Sequence, residues 1–247
     1  MTSSSSTTQS SALMRFILWR EKHISERVFV LILAFIVGLA TAVAAFVLKE
    51  LVHTLQHFAT TAAQRNQYLY LVLPPVGIFV TAMRYVVRDD ISHGVTKILI
   101  ALSQRKSRIK PHNMWSSVLS SAITIGMGGS VGAESPIVLT GAAIGSNLGR
   151  FFKMEQRNLM LLVGCGAAGA IAGIFKAPIT GLVFVVEVLL MDLTLVSILP
   201  LLTASVTSAS LAYILTGRQA MFSFMQSEDF ILDRIPYTLL LGILCGF

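Results

Sequence analysis

The stretch GMGGSVGAESPIVLTGAAIGSNLGR, residues 126–150, carries the residue types best suited to chemistry. Gly126, Gly128, Gly129 and Gly132 lead to Glu134, and Ser135 and Pro136 follow. Serine is a strong N-cap and proline suits the first helical position, so a helix is expected to start at about residue 136. The first N–H groups of such a helix have no partner within it and lie at the positive end of its dipole. Glycines before them let a ligand approach the backbone closely. The pattern describes an anion site built from backbone, with Gly132, Ser135, Ile137 and Val138 as its expected contributors. Glu134 stands at its mouth. A carboxylate there is drawn to the same N–H groups as an external anion, so it competes for them: charged it fills the site, neutral or swung away it vacates it. The plainer alternative is a capping glutamate with no role in passage.

Two further breaks have similar grammar. In ISHGVTKILIAL, residues 91–102, Ser92, His93 and Gly94 lead a short helix. Its N–H groups and the His93 ring could serve the same anion, or His93 is an ordinary structural histidine. In GIFKAPITGLVFVVE, residues 173–187, Pro178 can start a helix after Lys176. The alternative is a kinked span with a snorkelling lysine. Glu187 falls near the end of that helix, as a pathway group or, the preferred reading, a buried hydrogen-bonded anchor. Gly141, Gly145 and Gly149 recur at four-residue spacing and read as a close helix-packing face rather than a pore wall.

The elements holding these residues must lie in a membrane. Of 247 residues, 54% are hydrophobic and 13% charged, with a mean hydropathy of +0.75, too few charges to cover a soluble domain. A polytopic all-α membrane protein is what remains. Uncharged runs cover Val28–Leu48, Asn66–Met83 with Pro74 and Pro75 as an expected break, Pro111–Ala133, Ser135–Gly149, Asn158–Phe175, Ala177–Val186, Leu193–Gly217 and Ile235–Phe247; Ile91–Gln104 carries only Lys97. Full spans mixed with short Gly/Pro-bounded runs indicate broken and re-entrant helices. Backbone of that kind is tolerated only inside protein or along a cavity.

Charge sets the expected orientation. Residues 84–110 hold seven cations against two anions, whereas residues 176–247 hold three against five. Arg15, Arg20, Lys22 and Arg27 place the N-terminus in the cytoplasm, and Arg105, Lys106, Arg108 and Lys110 place that loop there too. Two spans and a re-entrant run at about residues 95–102 satisfy both. Residues 2–11 are a low-complexity polar tail, and no cleavable signal is evident. Basic residues are not interleaved with aromatics, so no nucleic acid is expected as a partner. Cys165 and Cys245 lack metal-ligand spacing and read as inert thiols. No cofactor and no metal are expected.

The three breaks, taken together, resemble the CLC family of chloride channels and chloride/proton antiporters. That family's Gly-Ser-Gly-Ile-Pro motif is matched by Ser92-His93-Gly94-Val95-Thr96, and its Gly-Arg/Lys-Glu-Gly-Pro motif by Gly132-Ala133-Glu134-Ser135-Pro136. A Phe-Asn-Ala-Pro break ending in Phe-x-x-Glu is matched by Phe175-Lys176-Ala177-Pro178 and Phe184-Val185-Val186-Glu187. The resemblance implies that Glu134 is the extracellular gating glutamate, that backbone after Pro136 lines a path for chloride or a similar anion, and that the protein forms homodimers in a bilayer, one pore per subunit, with an inverted repeat. It divides the chain into a cytoplasmic tail and amphipathic segment (1–27), a first transmembrane repeat (28–217), and a linker with the first helix of a truncated second repeat (218–247). His93 stands where the family has its central serine. Val188 stands where the antiporters hold an inner proton-carrying glutamate, so passive conduction is expected rather than exchange, and Asp192 is the only acid nearby.

Rival readings are weaker. Gly128-Gly129-Ser130-Val131-Gly132 fits a hydrolase Gly-x-Ser-x-Gly, but no histidine follows His112 to act as base, and no enzyme is expected. His53 and His57 share a helix face without the glutamate of a zinc motif. A non-conducting assembly module would not need an acid and glycines in an apolar region.

Overall fold

The computed structural model describes residues 25–65, 68–88, 94–103, 107–189, 195–217 and 235–246. Its regular elements among these are all helices: α1 Glu26–Arg65, α2 Leu69–Arg88, α3 Gly94–Ser103, α4 Asn113–Gly126, α5 Glu134–Phe151, α6 Gln156–Phe175, α7 Pro178–Val188, α8 Leu195–Thr216 and α9 Ile235–Gly246. Among the described residues, three stretches are long and apolar enough to cross a membrane: Glu26–Ala62, Gln156–Phe175 and Ser197–Thr216. At about 1.5 Å per residue, the 10-residue α3 and 11-residue α7 are too short to do so.

α6 is the axis of the bundle. Its middle, GCGAAGAIAG, is made of small residues except for Ile171, all fully or almost fully buried. Small residues let helices approach until backbones touch, which lipid-embedded packing favours. A methyl group added at Gly141 would collide with the Gly166 carbonyl, and one at Gly166 with the Gly141 carbonyl. Gly145 meets the Leu162 carbonyl in the same way, so the glycine stripe of α5 is a packing face against α6. On its other side α6 meets α1 and α8, where hydroxyls bind the three helices: Ser208 donates to the Gly169 carbonyl at 2.6 Å and lies 3.5 Å from Thr41.

In the first half one helix outruns its apolar run and one expected break is corrected. The first helix runs on through Lys49 and Glu50 to Arg65, 40 residues in all. An apolar run marks hydrocarbon thickness, whereas Lys, Glu, Gln and His are all compatible with a helix interior, and Gly38 is the last Gly or Pro before Arg65. Pro74 and Pro75 do not break α2, which continues over both. They sit early in the helix, so the missing N–H groups cost only the bonds just after the first unpaired turn. Packing holds the rest: Gly77 lies against Met127, and the Thr81 and Thr124 hydroxyls are 3.4 Å apart.

One end of the bundle gathers cations. Asn158 bonds the Glu26 carboxylate, and Phe29 meets Phe152 edge-on at 5.5 Å. The segment before α4 is stapled to the same end of α5: Ser146 donates to the Ser107 carbonyl at 2.7 Å and accepts from the Ile109 N–H at 3.0 Å. Exposed Arg27, Arg108, Lys110, Arg150, Lys153 and Arg157 therefore gather at one end, against Glu26 and Glu155.

Candidate functional site

Residues 127–133 are not helical, so α4 and α5 are separate helices within one apolar stretch. The turn is built from glycines at close approaches. Gly128 has φ +90°, a conformation that L side chains rarely adopt. Gly129 donates its N–H to the Thr124 carbonyl at 2.9 Å and leaves no room there for a side chain.

α5 begins at Glu134, two residues before the expected start. Its N-cap is Ala133, with no side-chain cap bond, so Ser135 is not the cap; it lies in the first turn with Pro136 just after it. Proline is accepted there because the first-turn N–H groups have no helical partner to lose, and the acidic side chain beside it suits the dipole. The Ile137 N–H donates to the Ala133 carbonyl at 3.2 Å. Pro136 has no N–H. The donors that the helix itself leaves over are thus those of Glu134 and Ser135, while Ile137 and Val138 have fully buried side chains in the core behind them.

Gly94 opens α3 directly against this turn. A methyl group at Gly94 would collide with the Ser135 hydroxyl, and the Ser135 carbonyl is also close. Its φ of +22° lies in the region that favours glycine. The structure therefore brings the N-termini of α3 and α5 together, two positive helix ends at one place. Ser92 and His93, expected beside them, lie outside the described residues.

Glu134 is exposed, and its carboxylate folds back over Gly132: a methyl group at Gly132 would collide with Oε2. The absence of a side chain at Gly132 is what admits the carboxylate to that position.

The third break is of another kind. Lys176 closes α6 in the left-handed conformation, φ 56°, and its own N–H bonds the Ala172 carbonyl. Its Nζ donates to the Gly217 carbonyl at 2.7 Å, just past the end of α8, and lies 5.4 Å from the centre of the Tyr213 ring. A cation on the last carbonyls of a helix offsets its negative end, so Lys176 ties the α6–α7 turn to α8. α7 starts at Pro178 and folds back along α6, with Gly181 against the Ala168 carbonyl. Glu187, expected as a buried anchor, is exposed in the last turn of α7, and among the described residues it makes no hydrogen bond or ion pair. Val188 closes that helix, and Asp192 lies outside the described residues.

Sequence reasoning passed over one residue of this region. Lys97 stands one turn into α3 and is only 8% exposed. The signal was available: a lone charge three residues after Gly94, on the same face as Ile98 and Ala101, which are also buried.

Long apolar helices combined with helices too short to cross, one of which (α3) meets α5 N-terminus to N-terminus, define a polytopic membrane protein with broken helices. The family model for the voltage gated chloride channel matches residues 76–247, and the chain belongs to that family. A protein of Ralstonia nicotianae described as a ClcB-like chloride channel is 28% identical over 238 residues, covering 87% of this chain and 54% of its own length. The H(+)/Cl(-) exchange transporter ClcA of Vibrio cholerae is 30% identical over 125 residues, 49% of this chain and 27% of the relative. Among solved structures, a slow cyanobacterial Cl-/H+ antiporter superposes with TM-score 0.74 at 23% identity, over 90% of this chain and 54% of that one. A CLC-type fluoride/proton antiporter superposes with TM-score 0.71 at 23% identity, over 89% and 55%. The chain thus spans about half the length of these structures and of the Ralstonia protein.

Proposed function

We propose that the protein carries chloride or a similar small anion across a membrane through a site lined by the N-termini of α3 and α5, with Glu134 as its gate. The observation that carries this reading is the meeting of Gly94 and Ser135, with the Glu134 carboxylate folded over Gly132 beside them. Two positive helix ends attract one anion, and a tethered carboxylate competes with a mobile one for the same field. Ser92, His93, Gly94, Gly132 and Ser135 contribute to the site, with Ile137 and Val138 as the packed support behind it. Lys176 has a structural role. The cation-rich end formed by Arg27, Arg108, Lys110, Arg150, Lys153 and Arg157 faces the cytoplasm, which puts the N-terminus there too. Homodimers and a second, inverted repeat belong to the same reading.

Passage is passive. Val188 offers no protonatable atom at the end of α7, where coupling would need an inner acid. The second reading, coupled exchange, is favoured by the Vibrio relative, an exchange transporter, and by both solved neighbours, which are proton antiporters. Glu134→Gln tests the gate: reconstituted in liposomes, the variant has faster anion efflux or a flatter pH dependence than the wild type. Unchanged flux together with unchanged pH response reduces Glu134 to a structural cap.

A further inference from the structure

At the cation-rich end of the bundle, Arg27, Arg108, Arg150 and Arg157 are exposed and make no ion pair with any described residue. Exposed Lys110 and Lys153 stand among them, and the Glu26 carboxylate is taken up by Asn158. Like charges gathered on one surface repel one another, which costs stability unless an anion joins them. Hydrogen bonds hold the group together. Ser146 and Asn147, in the last turns of α5, bind the backbone of residues 107–109, with Asn147 Nδ2 donating to the Ile109 carbonyl at 3.3 Å. Asn158 ties the start of α6 to Glu26, beside Arg27. One cation is placed against backbone preference. Lys153 has φ 50°, its N–H donates to the Arg150 carbonyl at 3.0 Å, and the Met154 N–H donates to the Gly149 carbonyl at 3.0 Å. That is the helix ending in which glycine is the favoured residue. Arg150 already complements the negative end of α5, so the dipole alone does not call for a second cation there.

Aromatic side chains fix the depth of this surface. Trp115 is 60% exposed in the first turn of α4, five residues after Lys110. Phe151 is 57% exposed beside Arg150, its ring edge-on to Phe152 at 5.1 Å. Exposed tryptophan next to cations is the composition of a membrane–water interface, where headgroups lie, and not of a surface reaching into bulk water. We propose that this surface binds the phosphate headgroups of anionic phospholipids in the leaflet it faces, with Arg150 and Lys153 at its centre. Guanidinium groups pair with phosphate through two parallel N–H···O bonds, and each cation close to an anionic membrane surface adds about fivefold to affinity. The bound lipid offsets the repulsion among the arginines, so it stabilises the fold as well as being held by it.

The test is the unfolding temperature of the complete protein in detergent, titrated with phosphatidylglycerol, phosphatidylcholine or inorganic phosphate. Phosphatidylglycerol is expected to raise it in the wild type, and the other two to leave it nearly unchanged at equal concentration. K153G loses one charge and gains the residue its backbone favours, so without lipid it should unfold no earlier than the wild type, yet need about fivefold more phosphatidylglycerol for half of the shift. R150Q should likewise need about fivefold more, and the double variant about 25-fold. K49Q removes one charge about 34 Å along α1 from Glu26 and should keep the wild-type response. An equal shift with phosphatidylcholine overturns the proposal in favour of acyl-chain contact, and an equal shift with inorganic phosphate overturns it in favour of a free anion. A wild-type response in both K153G and R150Q, or a loss in K49Q as large as theirs, overturns it as well.

Discussion

Gly132→Ala separates the geometry of the proposed gate from its charge. Gly132 is exposed and its φ lies outside the left-handed region, so alanine brings no backbone strain. The added methyl has one conflict: it would collide with Glu134 Oε2 and sit 3.1 Å from Cδ, closer than ordinary van der Waals contact. The backbone at 132 and the helix start at 134 are fixed by their neighbours, so the carboxylate yields by swinging out of its position. Keeping the covered position against that methyl would force the side chain off its preferred rotamer, at a cost of about 1 kcal/mol. In a population that is mostly covered, that raises the uncovered fraction about fivefold. Anion efflux from liposomes containing the complete protein should rise by about that factor in G132A, at constant pH. In the G132A/E134Q double variant the two effects should not add, because both uncover the same donors. Wild-type flux in G132A, or a full additive rise in the double variant, refutes the claim that the carboxylate over Gly132 closes the path.

Other substitutions probe the frame that positions the site. Gly94→Ala puts a methyl onto Ser135 at a backbone angle that disfavours alanine, so it should raise the half-maximal anion concentration about tenfold or more in efflux assays. Gly166→Val wedges a branched side chain against the Gly141 carbonyl, and should destabilise the folded protein by about 2–3 kcal/mol in detergent unfolding. Lys176→Met removes the bond to the Gly217 carbonyl, with an expected loss of about 1–2 kcal/mol in the same measurement and little change in anion affinity.

Much of this arrangement is legible in the chain because breaks in a membrane helix need particular residues. Pro178 opens α7 as its sequence says, and the glycines before Glu134 force a turn that no ordinary span contains. The packing role of Gly141, Gly145 and Gly149 also follows from spacing, since four-residue repeats of small residues bring backbones together. Less was legible where tertiary contact decides. Ser135 has the chemistry of an N-cap, yet its hydroxyl lies against Gly94 and the helix starts before it. Pro74 and Pro75 look like a break, but each removes only one bond just past the first turn, and the helix packed on α4 continues over both. Lys49 and Glu50 end the first apolar run without ending its helix, because hydropathy measures solvent preference and not backbone conformation. Lys97 was hidden for a similar reason: one charge in a short run is visible, but its burial depends on the helix it faces.

The central claim, passive anion passage through the site at the N-termini of α3 and α5, is tested most directly by following two ions at once. Liposomes containing the complete wild-type protein are placed in a chloride gradient with a pH electrode in the external solution. Chloride should move down its gradient with no proton movement beyond that of protein-free liposomes, and Glu134→Gln should speed it or flatten its dependence on pH. Proton uptake that runs uphill in step with chloride contradicts passive passage and turns attention to Asp192 and His93, while no movement of either ion contradicts the transport reading itself.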